Sequence, residues 1–150
     1  MNTKRTIAAA GLVLATALGG FIGTADAAPA PAAKTTLGAI TASPNTGLRD
    51  LQKVKVNVSG FGTYSGAAKI IQCTTGVIQD GTHFSKYCDL KHTAPITISH
   101  GKGKGSYKVR VGSFKAGERT QKCVKGGTCL ILAATPTKSY AAFSQISFAS

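Results

Sequence analysis

Val54, Val56 and Val58 alternate with Lys53, Lys55 and Asn57 in the stretch KVKVNVSG. A period of two puts apolar side chains on one face and wet ones on the other, the signature of a half-buried strand. The same beat returns in SYKVRVG, with Tyr107, Val109 and Val111 inward and Lys108 and Arg110 outward, and again in PITIS and QISF. AAKIIQC and TCLILAA are more continuously apolar, as strands covered on both faces should be. SPNTG, SGFGTYSG, HGKGKG, KAGE, KGG and TPTKS separate these runs and are turn chemistry. Seven short strands, LGAITA, KVKVNVSG, AAKIIQCT, PITIS, SYKVRV, TCLILAA and FSQISF, with no convincing helix, predict an all-β antiparallel sandwich.

The chain opens with Lys4 and Arg5, an apolar run from Ile7 to Ile22 and the small-residue triplet Ala25-Asp26-Ala27. That order reads as a secretory signal over 1–27 with an A-x-A cleavage site, which makes the mature protein extracellular. The stretch APAPAAKTT lacks periodicity and reads as a flexible Pro/Ala-rich tail over 28–36. Residues 37–150 then form one domain of ordinary size, with no later segment apolar enough to cross a bilayer.

Export gives the four cysteines their meaning, because disulfides persist outside the cytosol. Four cysteines allow three connectivities. Pairing by sequence proximity gives Cys73–Cys88 and Cys123–Cys129. A zinc site of Cys73, His83, Cys88 and His92 has acceptable ligand types but not the close pairs of a structural knuckle, and oxidation would consume its thiolates. The staple is the better reading, with no metal and no catalytic thiol; it fixes the base of a long loop from Thr74 to Tyr87.

Charge is the other constraint. The chain carries 18 Lys and Arg against 5 Asp and Glu, a net +13. Removing Lys4, Arg5 and Asp26 with the signal leaves about +12, which attracts polyanions such as DNA or anionic cell-wall polymers. Lys102, Lys104, Lys108 and Arg110 are the expected polyanion contacts. HGKGKGS lacks the order of a phosphate-binding loop and precedes a strand, so it reads as a flexible basic hairpin tip. His83, His92 and His100 read as solvated loop residues. Asp50, Asp80, Asp89 and Glu118 are isolated in sequence, so neither a triad nor an acid/base pair suggests itself, and no enzyme is expected.

Taken in order, ITASPNTGLRDLQKVKVNVSGF, the IIQC strand, YCD, GSYKVRVGSF, CVKGGTC and the closing QISFA resemble the neocarzinostatin–macromomycin family. The resemblance runs along nearly the whole mature domain. It implies an immunoglobulin-like seven-stranded sandwich with a small disulfide-stapled ribbon, and cysteines paired first with second and third with fourth. It also implies a secreted, non-enzymatic carrier that holds an apolar small molecule, such as an enediyne-like chromophore, without a covalent bond. The implied ligand cleft has Lys69, Ile71, Cys73 and Thr75 on one strand and Leu130, Leu132 and Ala134 on another. Lys86 and Thr93 border it.

The chain departs from the chromophore-binding pattern in placing Ile71 and Leu132 where carriers have glycine, and Thr74 and Thr75 where they have an aromatic. It is also basic where the carriers are acidic. Two readings follow: a carrier of an apolar molecule that also associates with DNA, and a surface-acting polyanion binder without small-molecule cargo. A monomer is the default for both, since no extended apolar surface is visible in the sequence.

Overall fold

Residues 35–79 and 83–150 are described by a computed structural model. The signal expected over 1–27 and the tail up to residue 34 lie outside the described residues. The strands are β1 (Thr36–Leu37), β2 (Ala39–Ser43), β3 (Lys53–Ser59), β4 (Gly66–Cys73), β5 (Cys88–Ser99), β6 (Lys102–Lys108), β7 (Gly112–Ala116), β8 (Arg119–Cys123), β9 (Thr128–Ala134) and β10 (Tyr140–Ser147). Eight of them form a sheet in the order β1-β10-β9-β4-β5-β6-β3-β2, and β7 with β8 makes a separate ribbon. All pairings are antiparallel except β1 on β10. Thr36, assigned to the tail by the sequence reading, is the first residue of β1.

The long sheet becomes a sandwich at the β5–β6 hairpin. There Ile98 pairs with Gly103 and Ser99 with Lys102, after which β5 continues on β4 and β6 on β3. The two halves face each other across a core of Ile40, Val54, Val56, Val58, Tyr107 and Val109 on one side and Ala68, Ile70, Ile131, Ala142 and Ile146 on the other. Val54 and Val56 are fully buried while Lys53, Lys55 and Asn57 are exposed, as the alternation requires. Burying each such side chain contributes roughly 1.5–3 kcal/mol.

A second apolar cluster lies on the opposite face of β4 and β9 and holds Ile71, Leu130, Leu132 and Ala134 together with Val77 and Phe84. These two strands are therefore buried on both faces, which accounts for their continuous apolar sequences. Val77 and Phe84 come from α1 (Gly76–Gln79) and α2 (Phe84–Tyr87), two single turns where the sequence reading expected no helix. One turn is too short to show a period in sequence. The Cys73–Cys88 bond closes the base of this helical strap, and Cys123–Cys129 ties the ribbon to β9.

The basic hairpin tip is docked rather than flexible. Gly101 donates its N–H to the Tyr64 carbonyl at 2.8 Å and accepts from Phe61 at 3.2 Å, while the His100 N–H reaches Ser65 Oγ at 2.9 Å. Gly101 has φ +74°, and a Cβ there would meet the Gly62 carbonyl, so this glycine serves a close backbone approach.

Candidate functional site

Register decides which expected cleft residues share a face. Lys69 pairs with Ala134, Ile71 with Leu132 and Cys73 with Leu130, and on the other side Ile71 pairs with Thr93. Directly opposed residues point the same way, so these side chains share the outer face of the β9-β4-β5 layer. Six of the seven expected floor residues thus share one face, and the seventh, Thr75, lies beyond the end of β4.

The strap covers much of it. Leu132 is fully buried and Leu130 nearly so, packed with Val77, Phe84 and the partly buried Tyr87 and Phe143. Phe84 meets Phe143 edge to face at 6.3 Å between centroids, a geometry favoured by the ring quadrupoles. What remains open is a pocket of about 310 Å³ bounded by Lys69, Ile71, Phe84, Leu90, Ala134 and Lys138. Lys138 Nζ stands 5.7 Å from the Phe84 ring centre, within cation–π range.

The pocket therefore gathers Lys69, Ile71 and Ala134 from the expected set, and leaves Leu130 and Leu132 beneath the strap. Thr75 and Lys86 are exposed on the strap segment, and Thr93 opens instead on a neighbouring groove between β5 and β6. Phe84, Ser85, Leu90 and Lys138 were missed by sequence reasoning. Phe84 carries a signal in retrospect, being an aromatic inside the stapled loop, but nothing local places Lys138 across from it.

The strap is held from outside as well. Thr74 donates its N–H to the Tyr87 carbonyl at 2.9 Å and its hydroxyl to Gln121 Oε1 at 3.1 Å, and Gln121 Nε2 donates to the Lys86 carbonyl at 2.8 Å. One ribbon residue thus clamps both ends of the strap.

The basic residues occupy the opposite half of the sandwich. Lys102, Lys104 and Lys108 alternate along the exposed side of β6, and Lys53 and Lys55 stand on the adjoining strand, with Lys53 directly opposite Lys108. Arg110 continues the row just beyond β6. The expected polyanion residues form one exposed ridge.

The histidines are less uniform than expected. His92 lies on β5, where its Nδ1 meets Asp89 Oδ2 at 2.7 Å, and His100 Nδ1 meets Ser99 Oγ at 3.1 Å at the other end of that strand. The carboxylate and the hydroxyl serve different histidines. Cys73 and Cys88 are joined at 2.03 Å, so the thiolates of the zinc alternative are spent on the staple. No group of three or more metal-ligating side chains occurs among the described residues. No helix among them is long and apolar enough to cross a membrane.

A model described as the neocarzinostatin family matches residues 40–148. Among solved structures, macromomycin is similar at 26% identity over 75% of this chain and 99% of its own, with a TM-score of 0.56. The solution conformation of apokedarcidin is similar at 31% identity over 74% of this chain and 97% of its own, with a TM-score of 0.50. The comparison with curated proteins gave no match.

Proposed function

The chain belongs to the neocarzinostatin family, and from that premise we propose that it is a secreted, non-enzymatic carrier holding an apolar small molecule in the pocket over Lys69, Ile71 and Ala134. The observation that carries this reading is the second apolar cluster. Its sheet face lies outside the sandwich core, yet it is closed by two helical turns rather than by another sheet. A volume of about 310 Å³ stands at the lower end of ligand pockets, roughly 300–1,000 Å³. It suits a compact cargo, with Phe84 and Leu90 as apolar walls and Lys69 and Lys138 facing any acidic group. Ile71, which stands where the resemblance implies glycine in chromophore carriers, takes up part of that space.

The test is isolation of the secreted protein without denaturation, followed by its absorbance spectrum and mass spectrometry of an extract. A bound chromophore or other apolar cargo is expected, and it should be lost from Ser85→Trp, which fills the pocket mouth from an exposed position. Cargo retained by that variant, or none on either protein, would sink the reading.

A second reading is favoured by the exposed lysine ridge: association with DNA or another polyanion through Lys102, Lys104, Lys108 and Arg110. The attraction would be electrostatic and weakly selective for sequence. Binding that does not weaken with salt would count against it.

A further inference from the structure

β5 and β6 are paired as a ladder only at their shared tip, and the gap that opens between them forms a groove of about 460 Å³. Lys53, Lys91, Lys108 and Arg110 all border it, each exposed, and none is ion-paired with a carboxylate among the described residues. Asp50 and Asp89 adjoin one end beside Arg110. Their oxygens already accept backbone N–H groups: Asp50 from Val111 at 2.9 Å, and Asp89 from Lys91 and His92 at 3.2 and 3.3 Å.

The rims are built, and the buried polar residues build them. Gln72, Asp89 and Thr135 are the buried polar side chains among the described residues, and the first two hold this groove. Gln72 Nε2 donates to the Arg110 carbonyl at 2.7 Å and its Oε1 accepts the Arg110 N–H at 2.8 Å. Asp89 fixes the backbone of Lys91 and the ring of His92. Tyr107, itself buried, spans the gap by donating its hydroxyl to the His92 carbonyl at 2.9 Å. Buried polar groups are costly unless bonded, and here their bonds fix the backbone that carries the cations.

We infer that this groove binds a linear polyol-phosphate chain, a phosphodiester polymer without bases. The cations select phosphate, and the row continues outward along β6 through Lys104 and Lys102. Alternate strand residues stand about 6.8 Å apart, which suits a repeating anion better than a single one. Bases find little to stack on, because of the groove's two rings Tyr107 is buried with its hydroxyl engaged, and the half-exposed His92 imidazole is tied by its Nδ1 to Asp89. Stacking contributes about 1–3 kcal/mol per base in single-strand binders, so a nucleic acid forgoes its main gain here. Duplex DNA, a rod far bulkier than a groove of about 460 Å³, is expected to meet the outer ridge instead.

This inference rests on the polyanion reading above, and the experiment separates the two. Fluorescent poly(glycerol phosphate), poly(dT) and duplex DNA of matched phosphate number are titrated onto the oxidised protein at physiological salt. Lys53→Gln with Lys91→Gln alters the groove, and Lys102→Gln with Lys104→Gln alters the ridge; all four positions are exposed. The polyol phosphate should bind tightest and lose roughly tenfold or more in the groove variant, but only about threefold in the ridge variant. A groove variant within about twofold of the parent, or nucleic acid bound as tightly as polyol phosphate, overturns the groove and leaves the surface reading standing. If none of the three polyanions binds, both fall.

Discussion

Tyr107 joins the halves of the sandwich through a phenol that burial, and secondarily the charge of Asp89, pushes up to about 12 from the ordinary 10. The folded protein therefore keeps a proton that the unfolded chain releases above pH 10. This contribution to stability is fully present below pH 10 and is lost as pH rises through about 12, on the order of 2–3 kcal/mol. Denaturant melts across that range should show Tyr107→Phe losing less stability with pH than the parent, although it starts about 1 kcal/mol lower for want of the hydrogen bond. Parallel slopes would contradict the assignment. Glycines offer a second test at this scale. Gly47 has φ +60° with open space around it, whereas Gly101 combines φ +74° with a backbone carbonyl in the way. Gly47→Ala should cost about 1 kcal/mol and Gly101→Ala clearly more, on the order of 3, as read from unfolding midpoints. Equal costs would mean that the hairpin tip is not docked as described. Neither Tyr107 nor Gly101 announces this role in sequence, because the partners, His92 and Gly62, are set by tertiary approach.

The strap is the element that closes the proposed carrier pocket, and its staple closes a loop with a sequence separation of 15 against 6 for the ribbon's. On chain entropy, replacing both Cys73 and Cys88 by Ser should cost about 3 kcal/mol, and replacing Cys123 and Cys129 about 2. The first replacement should also speed amide exchange of Val77 and Phe84 relative to Val54 and Ile131, which hydrogen-exchange mass spectrometry can resolve; uniform acceleration would place the strap in the same cooperative unit as the core. Strands were legible because period-two alternation is written locally in Val54–Val56–Val58 and its counterparts. The strap's two turns were not, since four residues leave no helical period. The pairing of Gln72 with the Arg110 backbone escaped for a different reason: it spans 38 positions, and Gln72 sits in a run that reads simply as strand.

Across the whole molecule, net charge sets how the surface meets its surroundings. With the cations of the described residues at exposed positions, the logarithm of the affinity for duplex DNA should fall linearly with log salt, and Lys102→Gln with Lys104→Gln should reduce the slope by about 2. An unchanged slope would remove the hairpin from the contact. The family assignment and the sandwich were readable from the order of segments along the chain. The sheet order, with β1 parallel on β10 and the opened β5–β6 seam, was not, because alternation gives a strand its faces but not its neighbours. The placement of two apolar clusters on opposite faces of β4 and β9 has a consequence for how such a molecule can change. Ile70, Ile131 and Ala133 face the sandwich, and Ile71, Leu132 and Ala134 face the strap. Position parity thus divides inheritance into two registers: drift at one set decides whether the scaffold persists, and drift at the other rewrites what it can hold.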